Sequence, residues 1–382
     1  MKPEYGENQP DKNMCRPHGN FLPCRFCDEN IKENGIENTA ESEKNEAKKE
    51  NISEYILKWW KGDAHTHSKE STREDYGYAE GIYDIKEILD YYKKIGLEFA
   101  CFSEHASKPG APSKQSAESP VSQSLLKEAG EITLINRERK GDVAGFSSVE
   151  ANIIFDENGE PILDIPQEVL QKLDMVIASR HLISNEKEPW AIKKSLLAAV
   201  KNNSVDAIGH PDRYARKDGE QSQEYWNEYY GMWGEVLEEM ARQGKAFEIN
   251  LNSPPDEKLL KMAIDAGLKF FINFDAHDFG QYKKDGAEIV KKGEEAKGRW
   301  AKGEATDEDS DLLDEYKEHR LSGGPGARPI LKLVRVIKKL EKAGMTPEKV
   351  INSSRGNLLK FLIEERGKST ENLEYLNSIN ND

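Results

Sequence analysis

From about Trp59 onward the chain alternates short apolar runs with amphipathic helical stretches, and this rhythm constrains the fold more than any other feature. The predicted strands cover 59–65, 98–103, 143–150, 174–180, 205–209, 246–251 and 269–275. Helix-like segments lie between them, among them 84–95, 190–202, 224–243 and 256–266. Strands separated by helices read as an α/β protein with a parallel sheet, because each parallel connection must cross back over the sheet. Seven repeats, with no glycine-rich dinucleotide loop after the first strand, favour a closed barrel over an open sheet.

The flanks read differently. Residues 1–30 are polar and cysteine-bearing, and 31–55 are rich in Glu, Lys, Asn and Ser with almost no large apolar side chains. The second of these is expected to be a solvated linker or a frayed helix. The barrel is assigned to 56–366 and a loose polar tail to 367–382. Within the barrel, 281–327 breaks the rhythm with dense charge and then GGPGARP. An insertion of this kind is either a solvated excursion or a lid over a site.

Among the 382 residues, 36% are hydrophobic and 33% charged, enough for a core beneath a charged surface. No apolar run approaches the roughly 20 residues of a membrane span, and no signal-like apolar stretch opens the chain, so the expectation is a cytoplasmic protein with no membrane partner. The four cysteines do not form a secreted disulfide pattern, and Cys101, in an apolar strand, is expected in the core. A net charge of −15 disfavours a surface that coats nucleic acid. It does not disfavour an anionic substrate, since divalent cations in a pocket reverse the local sign.

Six of the eight histidines sit at or just beyond predicted strand ends: His65, His67, His105, His181, His210 and His277. Glu150 and Asp275 occupy equivalent places. In a parallel barrel all strand C-termini reach one rim, so these residues would converge. One histidine beside a strand is ordinarily a hydrogen-bonded rim residue. The joint pattern, with His65-x-His67 and Asp275-x-His277 each presenting alternate positions to one side, points to metal. Imidazole and carboxylate together suit zinc, manganese or iron(II), and about eight ligands suit two ions about 3.5–4 Å apart better than one.

In order and spacing, these pieces resemble the PHP (polymerase and histidinol phosphatase) family of metallophosphoesterases. The matching segments are GDAHTHS at 62–68, FSEH at 102–105, VEAN at 149–152, ASRHLIS at 178–184, AIGHPDR at 207–213, FEINL at 247–251 and NFDAH at 273–277. The resemblance spans roughly residues 59–365 and is nearest the histidinol-phosphatase-like branch. It implies a distorted seven-stranded TIM-like barrel. It also implies that His65, His67, Glu150 and Asp275 hold a first metal, with Glu150 bridging to a second completed by His181 and His210. A third ion would use His105 and His277 with one further ligand. The chain departs from the family in lacking a histidine soon after His67, where Glu80 is the nearest substitute and Asp75 the next. It also has Glu104 where the family commonly has Asp.

Such a site would activate a metal-bridging water, whose pKa can fall from about 15.7 to about 7, for attack on phosphorus. His105 or His277 could protonate the leaving oxygen. Arg180 and Arg213, beside His181 and near His210, read either as phosphate clamps or as partners of a carboxylate such as Asp212. Asp63 and Asp212 are expected to orient ligating histidines, and Asn250 to reach the same rim.

Cys15-x2-His18-x5-Cys24-x2-Cys27 supplies two close ligand pairs around a short loop, which suits one structural zinc. Reduced cysteines in an unstructured tail, or redox use of the Cys24–Cys27 pair, are the alternatives. The expected function is hydrolysis of a small phosphorylated metabolite. A nuclease or nucleotide phosphatase is the rival enzyme reading, disfavoured by the acidic balance, and its aromatic candidates Trp226, Tyr229, Tyr230 and Trp233 stand at helical spacing that suits a core. A non-catalytic metal-stabilised module would be expected to lack ligands, and a C–N hydrolase to show a strand lysine for carbamylation. Nothing in the pattern sets an oligomeric state.

Overall fold

The computed structural model describes residues 52–71, 81, 83–107, 113–181, 188–211, 213, 222–277, 299 and 327–380. Outside the described residues lie the Cys15, His18, Cys24 and Cys27 segment, the linker up to Asn51, Asp75, Glu80, Asp212, and the 281–327 insertion apart from Arg299 and Ala327.

Among the described residues eight strands form: β1 Gly62–Thr66, β2 Phe99–His105, β3 Ala144–Phe155, β4 Pro161–Leu163, β5 Met175–Ser179, β6 Ala207–Gly209, β7 Ala246–Asn250 and β8 Phe270–Asn273. Seven of them run parallel in the order β1-β2-β3-β5-β6-β7-β8. β4 is an addition that pairs antiparallel with the extended end of β3. The helices α1 Ile52–Trp59, α2 Ile85–Lys94, α3 Pro120–Arg139, α4 Gln167–Leu170, α5 Pro189–Lys201, α6 Gln223–Arg242, α7 Glu257–Asp265 and α8 Ala327–Lys342 accompany the strands. α9 Arg355–Lys360 and α10 Glu371–Asn380 complete the chain. Good caps start several of them: Ser119, Ser222 and Asp256 each accept a backbone N–H with the side chain at the first turn.

The first and last strands meet, so the sheet closes into a barrel. Ala276 pairs in parallel with Thr66, donating to the His65 carbonyl at 3.2 Å and accepting from the His67 N–H at 2.9 Å. At the other end of this seam side chains replace the ladder. Asn352 donates from Nδ2 to the carbonyls of Gly62 at 2.9 Å and Ile272 at 2.6 Å, and its Oδ1 accepts from the Ile272 N–H at 3.0 Å. The Asn273 Oδ1 accepts from the Ala64 N–H at 2.9 Å.

Inward-facing positions are layered. Phe99, Cys101, Phe146, Ile177 and Phe271 build an apolar floor with Leu358, Phe361, Leu373 and Leu376 from the C-terminal segments. Higher along the same strands the inward positions turn polar, with Ser103 donating to the Ala64 carbonyl at 3.0 Å and touching Ser148 at 3.1 Å. Helices pack the outer face, where Tyr229 and Trp233 are fully buried and Trp226 and Tyr230 partly so.

Two sequence expectations are corrected. Residues 52–59 are helical, so Trp59 and Trp60 precede the strand, and both are buried under the outer layer. The tail is not loose: α10 docks through Leu373 and Leu376, and each buried leucine contributes about 1.5–3 kcal/mol, enough to hold one short amphipathic helix. Among the described residues, no helix is long and apolar enough to cross a membrane.

Asn352→Ala removes side-chain bonds from buried backbone groups that have no solvent alternative. It is expected to cost about 3 kcal/mol, since each orphaned buried group costs roughly 1–3 kcal/mol. Urea unfolding of the full chain checks this, and a change below 1 kcal/mol would mean the seam holds without it.

Candidate metal centre

The strand ends deliver the expected residues to one buried point. A register shift in β1, where Asp63 pairs with Ala100 but Thr66 with Phe102, inserts an extra residue. Ala64 can therefore join the floor while its neighbour His65 also faces inward. Glu150 ends the paired stretch of β3 with β2, opposite His105. Asp275 lies just past β8, and His210 just past β6. Both take positive φ, 55° and 24°. Such strain in non-glycine residues collects where side-chain aim matters more than backbone comfort.

His65 Nε2 lies 3.3 Å from Glu150 Oε2 and 3.6 Å from Asp275 Oδ1. His67 Nε2 lies 3.7 Å from Glu150 Oε2 and 3.3 Å from Asp275 Oδ1. Ligands about 2.0–2.2 Å from a tetrahedral ion stand roughly 3.3–3.6 Å from one another, so the four atoms have the spacing of a coordination shell. None of the four has a hydrogen-bond partner, and all are buried. Orphaned buried polar atoms cost about 1–3 kcal/mol each, and a cation at their centre would satisfy all of them. The donor set fits a divalent metal.

The two oxygens of Glu150 face different neighbours. Oε2 faces His65, His67 and, at 3.1 Å, His105 Nδ1. Oε1 faces His181 Nε2 at 3.3 Å and His210 Nε2 at 2.6 Å. His67, His105 and His277 form a further group able to share an ion, their rings 4.1–5.8 Å apart. Glu150 is thus placed between ligand groups, as a bridging carboxylate would be.

Behind the histidines stand acceptors that aim them, and these escaped the sequence reading. Glu248 Oε1 takes His65 Nδ1 at 2.7 Å, and its Oε2 accepts the His210 backbone N–H. Asn152 Oδ1 takes His181 Nδ1 at 2.5 Å and is itself fixed by donating to Asp164 at 2.7 Å. Glu248 shares the inward parity of Ala246 and Asn250, the one signal that could have found it. Asp63, expected to orient a histidine ring, instead accepts backbone N–H groups of His65 at 3.0 Å and Phe274 at 3.3 Å. Gly209 is required: a Cβ there would sit 2.3 Å from Ser179 Oγ.

Arg213 pairs with Asp275 Oδ2, which also accepts from Asn250 at 3.2 Å. This gives Asn250 its role at the rim, and it ties one expected clamp to a ligand carboxylate. Arg180, half-buried, follows β5 directly beside His181.

The electrostatics are those of a cation site. Burial lowers the pKa of His65, but the carboxylates of Glu248, Glu150 and Asp275 override it and push it well up. Burial opposes ionisation of Glu150 and Asp275 too, yet the imidazoles around Glu150, and Arg213 with His65 beside Asp275, hold both well below the usual range. Burial, then neighbouring cations, push His67 down and His210 to about 4, leaving both neutral and able to ligate.

No family model matches the chain. It is 30% identical over 238 residues to a probable phosphatase of Thermoanaerobacter sp., covering 58% of this chain and 82% of that one. The chain belongs to the PHP family. This PHP protein is also 30% identical over 242 residues to the DNA polymerase/3′-5′ exonuclease PolX of Bacillus subtilis, covering 61% of this chain but 37% of the relative. A solved histidinol phosphate phosphatase from Lactococcus lactis, complexed with zinc, L-histidinol and phosphate, shares 20% identity at a TM-score of 0.44. That match covers 75% of this chain and 94% of the other.

Because the raised His65 pKa keeps a proton on the ring that a metal must displace, zinc binding should release protons and weaken as pH falls. Calorimetry in buffers of different ionisation enthalpy checks this. Glu248→Gln should lower zinc affinity about 10–100-fold with the fold intact. Unchanged affinity would show that His65 needs no aiming.

Proposed function

We propose that this PHP protein is a metal-dependent phosphoesterase acting on a small phosphorylated metabolite in the cytoplasm. The observation that carries the reading is the set of partnerless, buried donor atoms on His65, His67, Glu150 and Asp275, spaced for one ion and linked through Glu150 to a second group. Bound divalent ions supply an activated water and neutralise the phosphoryl oxygens as charge shifts during hydrolysis. In this reading His65, His67, Glu150 and Asp275 would hold one ion, and Glu150 with His181 and His210 would hold a second. His105 and His277, with His67 or Glu80, serve a third ion, or hold a proton for the leaving oxygen. Arg180 receives phosphate oxygens through its guanidinium fork, and Arg213 joins it while keeping Asp275 ionised. The ions are zinc, manganese or iron(II), and a structural zinc sits on Cys15, His18, Cys24 and Cys27.

A second reading, hydrolysis of polynucleotide or nucleotide phosphates, is favoured by one observation beyond the resemblance to the exonuclease. Trp190 at the start of α5 is 63% exposed, on the side of the barrel where the strand ends emerge. An exposed indole there could stack a base.

A panel of phosphomonoesters, cyclic phosphates and short oligonucleotides, assayed with metal-reconstituted full chain, separates the two. Monoester hydrolysis should dominate, and hydrolysis of oligonucleotides alone would overturn the ranking. Glu150→Ala should abolish at least 10³-fold of the activity, and full activity in that variant would sink the bridging role. Arg180→Ala should raise KM more than it lowers kcat. Elemental analysis should show one zinc lost on double replacement of Cys24 and Cys27 by Ser, and unchanged zinc would remove the N-terminal site.

A further inference from the structure

β4 adds nothing to the closure of the barrel, yet its end carries a fully buried carboxylate. Asp164 follows that strand and lies against Asn152 of β3, to whose carbonyl it donates its own N–H at 3.0 Å. Three donors converge on its side chain. Oδ1 accepts the Asn152 N–H at 2.9 Å, and Oδ2 accepts from Asn152 Nδ2 at 2.7 Å and from the Ser107 hydroxyl at 2.5 Å. Asn152 has the inward parity of Glu150, and its Oδ1 meets His181 Nδ1 at 2.5 Å.

We propose that Asp164 is a positioning residue that acts through Asn152 to make Nε2 the ligating nitrogen of His181. The geometry is independent of any ion, while the purpose rests on the phosphoesterase reading above, in which His181 serves a metal.

One side of an asparagine amide only donates and the other only accepts. At 2.7 Å from a carboxylate oxygen, only the NH2 side can face Asp164. The reversed amide would set two acceptors against each other with no hydrogen between them. Oδ1 is therefore turned to His181 and can only accept, so the imidazole hydrogen stands on Nδ1. Nε2 keeps its lone pair, 3.3 Å from Glu150 Oε1. Ser107 completes the arrangement: its Oγ accepts the Ser113 N–H at 3.2 Å and gives its own hydrogen to Asp164. Ser107, Asn152, Asp164 and His181 are all buried, which makes a mismatched donor or acceptor costly.

This relay can be inverted and then restored. Asp164→Asn leaves one acceptor where the carboxylate has two, so its oxygen can serve the Asn152 N–H or Asn152 Nδ2 but not both. With the oxygen on the backbone N–H, its NH2 faces Asn152 Nδ2, and the Asn152 amide must turn over. Nδ2 then meets His181 Nδ1, and the imidazole hydrogen moves to Nε2, where it blocks coordination. Adding Asn152→Asp removes the conflict. One oxygen of the new carboxylate accepts from the amide at position 164 and the other from His181 Nδ1–H. A residue that merely packed β4 against β3 would gain nothing from exchanging the two side chains.

The test is ¹⁵N NMR of histidine-labelled full chain, with and without zinc, for wild type, Asp164→Asn, Asn152→Ala and the double variant Asn152→Asp/Asp164→Asn. The His181 proton should sit on Nδ1 in wild type and the double variant, and move to Nε2 or become mixed in the other two. Affinity for one zinc should fall about 10–100-fold in those two and return to within about threefold of wild type in the double variant. Should Asp164→Asn not fold, the contrast between Asn152→Ala and the double variant carries the test. A His181 proton that stays on Nδ1 in Asp164→Asn and Asn152→Ala would overturn the inference while leaving the phosphoesterase reading intact. So would a double variant that behaves like Asn152→Ala. Tautomers that follow the variants in a chain that binds no zinc would do the reverse.

Discussion

One buried carboxylate organises the molecule. Glu150 lies fully buried in the polar layer with imidazoles on both of its oxygens. An isolated carboxylate so placed would be held neutral by the cost of desolvation. Here the surrounding histidines reverse that outcome, and they can do so only because four strands, β1, β2, β5 and β6, bring their C-terminal ends around it. Closure of the barrel is therefore an electrostatic requirement as much as a topological one. If β8 did not meet β1 through Ala276, Asp275 would not stand across from His65 and His67.

The division into floor and roof follows from the same constraint. Apolar side chains from alternate strand positions, capped from below by α9 and α10, make a rigid base without polar demands. Immediately above, every inward group is polar and most are held by a second polar group. A metal centre needs both conditions: ligands locked in angle, and a base that does not breathe when the charge at the centre changes. The strained backbone at His210 and Asp275 is tolerable in this setting, since surrounding bonds from Glu248, Asn250 and Arg213 over-determine both residues.

Much of this was legible in the sequence because the ligands themselves are rare residues in repeated positions. Histidines after successive strands announce convergence, and His65-x-His67 states its geometry locally. The residues that aim them were not legible. Glu248, Asn152 and Ser71 are ordinary polar side chains, and their importance arises only from which histidine nitrogen lies within reach. Nor was the end of the chain: 367–382 is polar in composition, yet Leu373 and Leu376 fall one helical turn apart and reach the floor. Composition averages over the face that matters. Trp59 and Trp60 misled in the opposite sense, since two aromatic residues suggest a strand although they close a helix and lie under the outer layer.

The distribution of backing groups also says something about how the ligands differ. His65 is backed by a carboxylate, His181 by an amide and His67 by a hydroxyl. A carboxylate behind an imidazole raises its basicity most and a hydroxyl least. His65, which sits between Glu150, Asp275 and Glu248, is thereby the strongest donor and the one most coupled to protons. His67, buried and crowded by His277 and His105, is the weakest. A cluster built this way grades its ligands: the tightest ion is expected where the carboxylates concentrate, and the most exchangeable where His67, His105 and His277 come together.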